Sequence, residues 1–147
     1  MHFEKEEYLR KKYGCLKALG VLPVAASQLQ SFIASIGSGE DFGGSYRSAL
    51  TWFRDRSSLT AVLRESVDGQ GVKRLLNLHF GGEQIKRLWV VWDFSEGVDE
   101  FPANLFFEEM DQLRNPGAED IELIEPDAGI VIGVSHFGEV WISRGSR

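Results

Sequence analysis

Between Asp93 and Asp127 the chain carries twelve carboxylates and one base, Arg114. Large apolar groups, Phe94, Phe101, Pro102 and Leu105, are interleaved with the acids. Acid/base catalysis needs two carboxylates in different environments, at least one of them partly buried. The spacing here instead places most of the acids in loops and on the outward face of a helix, which points to electrostatic docking. Aromatic anchors ringed by charge are a usual composition for a protein interface. The residues expected to meet a partner are Asp93, Phe94, Glu96, Asp99, Glu100, Phe101, Glu108, Asp111, Glu119, Asp120 and Glu122, with Trp92 as a further source of apolar anchor area.

The other groups able to do chemistry are sparse. His2, His79 and His136 have no His-x-x-x-His spacing, so no metal or cofactor is expected. A second reading keeps His79, Asp93 and His136 as the polar lining of a pocket between sheet and helices, in a small enzyme or ligand-binding domain. Covalent catalysis needs a nucleophile beside a base, and no Gly-x-Ser-x-Gly elbow or cysteine–histidine signature occurs, so the primary reading is non-enzymatic. Gly37 to Gly44 is glycine-rich, but Phe42 stands where the third glycine of a dinucleotide fingerprint belongs.

Charge narrows the partners. Residues 1–92 hold thirteen bases and nine acids (+4), residues 93–127 sum to −11, and residues 128–147 to +1, for a net charge of −6. A C-terminal half of that sign repels phosphates, and +4 over the first 92 residues is thin for DNA, so nucleic acid is not the expected ligand. A cationic partner would be steered toward the acids. Composition is that of one globular domain, residues 1–147, with 43% hydrophobic and 26% charged residues. A lone cysteine, Cys15, leaves no internal disulfide; no secretory h-region or membrane-length apolar run is present, and a reducing cytoplasm is the expected location.

The elements that must position these groups follow from periodicity. Residues 3–19 predict a helix through Leu9, Tyr13 and Leu16, with acids early and bases late. Pro23 opens a second, with Leu29, Phe32, Ile33 and Ile36 on one face. Ser45 caps a third carrying Tyr46, Ala49, Leu50 and Phe53, and a fourth runs through Leu59, Val62, Leu63 and Val67. From Val72 the pattern reads as period two: Leu76, Leu78 and Phe80 predict a strand that turns at Gly81-Gly82 and returns as Ile85 to Phe94, whose middle is apolar on both faces (Leu88, Val90 and Trp92 on one, Trp89 and Val91 on the other), as in a central strand covered on two sides. Asp99 is expected to cap a helix over residues 99–114, with Pro102 in its first turn and Ala103, Phe106, Phe107 and Met110 inward. Strands around Ile121–Leu123, Ile130–Val134 and Glu139–Ser143 close the chain, with Gly138 in a bulged turn. The expectation is an α+β domain: a helical part (1–71) packed on one face of an antiparallel sheet (72–144) of about five strands, interrupted by one helix.

In size, charge layout and the mixing of aromatics with acids over residues 89–142, the chain resembles the immunity proteins of bacterial toxin–immunity systems, including contact-dependent growth inhibition. That resemblance implies a cytoplasmic inhibitor that binds a cognate toxin domain, basic and possibly a nuclease, through its acidic surface.

Overall fold

The structure, a computed structural model, describes residues 1–36, 55, 58–62, 68–80, 85–92, 97–114, 120–135 and 138–144. It is an α+β fold in which, among the described residues, every strand pairing is antiparallel. In chain order the elements are α1 (Phe3–Tyr13), α2 (Leu16–Leu19), β1 (Leu22–Pro23), α3 (Ala26–Ile36), β2 (Ser58–Val62), α4 (Gly69–Phe80), β3 (Arg87–Val91), β4 (Val98–Pro102), α5 (Ala103–Leu113), β5 (Ile121–Glu125), β6 (Ile130–Val134) and β7 (Glu139–Arg144). The strands lie in the order β1-β4-β3-β5-β6-β7-β2.

The core divides at the sheet. On one side, Leu88, Val90, Phe101, Leu123, Ile132 and Val140 pack under Leu9 of α1, Val72 and Leu76 of α4, and Phe106, Met110 and Leu113 of α5. On the other, Trp89, Val91, Val98, Ile124 and Val131 pack under Leu29, Phe32 and Ile33 of α3. The expectation of helices on one face is therefore corrected, because α3 covers the second. The alternation of Leu88 and Val90 with Trp89 and Val91 carries the reason: both sets are apolar, so both sides of β3 must be buried.

Four further expectations are revised. Residues 69–80 form helix α4, not a strand. Asp68 accepts the Gly71 N–H at 2.6 Å, capping the helix, and Val72, Leu75 and Leu76 turn inward at helical spacing. Leu78, which completed the period-two pattern, is 83% exposed. Residues 58–62, expected in a helix, are strand β2, paired with β7 with a bulge between Leu59 and Ala61; the β-branched Thr60 and Val62 suit a strand once a partner is supplied by the far end of the chain. Asp99 does not cap a helix: residues 98–102 are strand β4, and Pro102 is the cap of α5, whose first N–H, from Ala103, donates to the Lys86 carbonyl at 2.9 Å. Leu22–Pro23 pairs with Glu100 and Asp99 as a two-residue edge strand, and α3 begins three residues after Pro23. The expected helix from Ser45 lies outside the described residues, as does the Gly81-Gly82 turn.

The first expected helix is cut in two at Gly14, where φ is +91°. The close of the chain follows expectation: β5, β6 and β7 run as a meander, and Gly138 takes a φ of +88° before β7.

Candidate functional site

Helix α5 decides where most of the described acids go. Ala103, Phe106, Phe107, Met110 and Leu113 recur at three- and four-residue spacing and are buried, which turns Asn104, Glu108, Asp111 and Gln112 to solvent. Glu108 and Asp111 therefore stand about one turn apart on the same outward face. Asp111 also accepts the Gly69 N–H at 3.0 Å, so its carboxylate holds the start of α4 against α5. Asp120 is exposed at the entrance to β5.

The remaining expected contacts separate. Glu122 is half-buried and points to the α3 side of the sheet, in register with Gly133 of β6 and Val91 of β3. Glu100 points to that side too, and accepts hydrogen bonds from Arg87 at 2.9 Å and from the Trp89 indole at 3.1 Å. Asp99 is turned inward at 6% exposure, where it accepts from the Trp92 indole at 2.9 Å and pairs with the Met1 ammonium at 2.7 Å. Phe101 is wholly buried, with its ring centroid 5.5 Å from that of Phe106 and 6.0 Å from that of Trp92. Trp92 is buried as well. Alternation along β4 explains the inward pair: residues 99 and 101 share one face, and that face lies under α1 and α5. Neither Phe101 nor Trp92 can serve as a surface anchor, and Asp99 is already satisfied within the fold. Asp93, Phe94, Glu96 and Glu119 lie outside the described residues.

For the pocket reading, His79 lies on helix α4 rather than on a strand beside His136, and Asp93 and His136 fall outside the described residues. Among the described residues, no group of three or more His, Cys, Asp or Glu is arranged to hold a metal ion. No described helix is long and apolar enough to cross a membrane.

A polar cluster between α1 and α5 was not legible in the sequence. Glu109 of α5 has a side chain 1% exposed, and it accepts hydrogen bonds from Tyr8 Oη at 2.6 Å, Lys12 Nζ at 2.6 Å and Tyr13 Oη, all on α1. Burial pushes its pKa up, but the hydrogen bonds from Lys12, Tyr13 and Tyr8, with the Lys12 charge, outweigh burial and hold it below the ordinary carboxylate value. The hydrogen bond to Glu109 raises the pKa of each donor: Lys12, Tyr8 and Tyr13. A second cluster lies on the opposite side of the sheet, where Arg87 bridges Glu100 and, at 3.1 Å, Asp127; the hydrogen bond to Asp127 is the main cause of its raised pKa. The Tyr8/Lys12 spacing of four residues hints at one helix face, but nothing local ties it to a glutamate about a hundred positions away.

Arg114, the one base of the acidic segment, is 2% exposed and donates to the Ser135 carbonyl at 2.7 Å. Glu125 is buried too, accepting the Ala128 N–H within the turn between β5 and β6. No family model matches the chain, and neither a curated protein nor a solved structure matches it.

Proposed function

We propose that this protein is a cytoplasmic, non-enzymatic immunity protein that neutralises a cognate, cationic toxin domain of nuclease-like character. The proposed docking residues are Glu108 and Asp111 on the outward face of α5, together with Asp120 at the entrance to β5. The observation that supports this reading is the sorting of charge in the acidic segment. Its base, Arg114, is turned into the protein, while Glu108, Asp111 and Asp120 face solvent. A surface of one sign raises the encounter rate with an oppositely charged partner and loses that effect as salt rises.

Part of the belt is spent internally. Asp99, Glu109 and Glu125 are buried with their own donors, and Arg87 takes up Glu100 and Asp127. The steering field therefore comes from fewer charges than the sequence count suggests. The reading accordingly places the recognition energy in electrostatics and in α5, not in Phe101 or Trp92.

The test is a protection assay with the toxin domain encoded beside this gene. Co-expression should rescue growth, and Glu108→Lys together with Asp120→Lys should slow association with the purified toxin domain by about tenfold at low salt, with little effect on dissociation. Association unchanged by both reversals, at unchanged stability, would remove α5 from the interface.

A further inference from the structure

We infer that α1 is a hinged strap, which lifts from the domain about Gly14 while the sheet stays folded. Seven of its eleven residues are charged (Glu4, Lys5, Glu6, Glu7, Arg10, Lys11, Lys12), and Leu9 is its one buried side chain. Leu9 sits in the apolar core, with Met1, Tyr8 and Tyr13 packed against it, and the polar contacts that hold the helix to the domain are gathered at two points. Tyr8, Lys12 and Tyr13 all donate to the Glu109 carboxylate of α5. The Met1 ammonium, just ahead of the helix, pairs with Asp99 of β4, and Lys5 Nζ sits 4.7 Å from the centroid of the Trp92 ring.

Such attachments are made or lost together. When α1 lifts, water reaches both carboxylates, so neither is left buried and unpaired; the polar contacts forfeit only the difference between protein and water hydrogen bonds, to which the lost burial of Leu9 is added. An eleven-residue helix has little stability once undocked, so the lifted segment also melts. Beyond α1, Leu16 and Val21 belong to the same apolar core as Leu9. Between α1 and these residues stands Gly14, at φ +91° and ψ −125°, where an added Cβ would meet nothing within 4 Å. A residue with that backbone freedom and empty surroundings can absorb a large rotation. Lifting uncovers Asp99, Glu109 and the apolar floor beneath Leu9, and so changes the surface of the domain without unfolding it. The inference does not rest on the proposed function.

Native-state hydrogen exchange on the full chain tests it. Amides of residues 7–13 should exchange through an opening that is nearly independent of denaturant, while amides of β3, β5 and β6 exchange only with global unfolding. Glu109→Gln keeps the shape but removes the charge, and it should speed exchange in α1 by roughly 10- to 100-fold, leaving the strands unaffected. Tyr8→Phe, a milder change, should give a smaller acceleration confined to the same segment. Equal protection of helix and strands with a shared denaturant dependence would overturn the inference. So would acceleration of the strands as large as that of α1 in either variant.

Discussion

Gly69→Ala separates two physical arguments that give opposite signs. Residue 69 is the first of α4, and alanine in place of glycine in a helix gains up to about 1 kcal/mol on propensity alone. The packing says otherwise. A Cβ at this position would lie 1.8 Å from the Phe107 carbonyl oxygen, 2.8 Å from its carbonyl carbon and 3.1 Å from Met110 Cβ. The obstacle is backbone inside α5, which cannot swing aside as a side-chain tip would. Helix α4 must therefore retreat by roughly 1.5 Å to restore ordinary contact. That retreat breaks the Gly69 N–H bond to Asp111 and loosens Val72 and Leu76 against the core they share with Phe107 and Met110. Overpacking of this kind costs about 1–3 kcal/mol, and the lost hydrogen bond, partly replaced by water, about 1 more. After the propensity gain the net loss is about 1–3 kcal/mol, a large share of the ~5–15 kcal/mol typical of a domain. In urea the midpoint should fall by roughly 1–2 M with little change in slope. Gln70→Ala, at the exposed neighbouring position, is the control and should move stability by less than about 0.5 kcal/mol. A Gly69→Ala variant as stable as the parent, or more so, would refute the α4–α5 contact on which the reasoning rests.

Other perturbations bear on the two inward carboxylates. Asp99→Ala removes the acceptor of the buried Trp92 indole and the partner of the Met1 ammonium, and should cost about 2–4 kcal/mol in urea unfolding; Trp92→Phe in the same background should recover part of that loss, because no indole N–H is then stranded. The Glu109 clasp has a defined pH window. With its folded pKa below the ordinary 4.5, Glu109 contributes stability above that value and loses it as pH falls through the folded pKa. Lys12, Tyr8 and Tyr13 have raised values, so their contribution is complete below about pH 10 and is lost as pH rises toward the folded pKa values. The stability difference between the parent and Glu109→Gln should thus be flat from about pH 5 to 9 and shrink at both ends; a change of slope between pH 6 and 8 would contradict this assignment.

The parts of the fold visible in the sequence were those decided by neighbours in the chain. Helix α5 showed in the spacing of Phe106, Phe107 and Met110, β3 in its two apolar faces, and the β6–β7 hairpin in the alternation of Ile130, Ile132 and Val134 with Gly138 at the turn. The errors came where a distant partner outweighed a local signal. Residues 72–80 alternate well enough to pass for a strand, and only the burial of Val72 and Leu76 under α5 decides for the helix. Residues 58–62 reach their strand state by pairing with β7, some eighty positions later. Asp99 and Pro102 carry a good helix-start signature, yet Asp99 is held in a strand by Trp92 and Met1, and the helix begins only at Ala103.

The same limit governs the candidate site. A carboxylate at the surface and a carboxylate serving as an internal acceptor are the same letter in the sequence; what separates them is whether a donor waits on another element. Glu108 and Glu109 are adjacent, but a rotation of about 100° between consecutive helical residues sends the first to solvent and the second under α1, where three donors converge on it. Asp111 does both, facing water while holding the first N–H of α4. An acidic segment is therefore a weaker electrostatic source than its net charge implies whenever the fold draws its carboxylates inward, and Met1 with the α1 that follows it holds two of them, Asp99 and Glu109, at once. If that strap lifts, both return to the surface, so the charge the domain presents to solvent depends on whether α1 is docked.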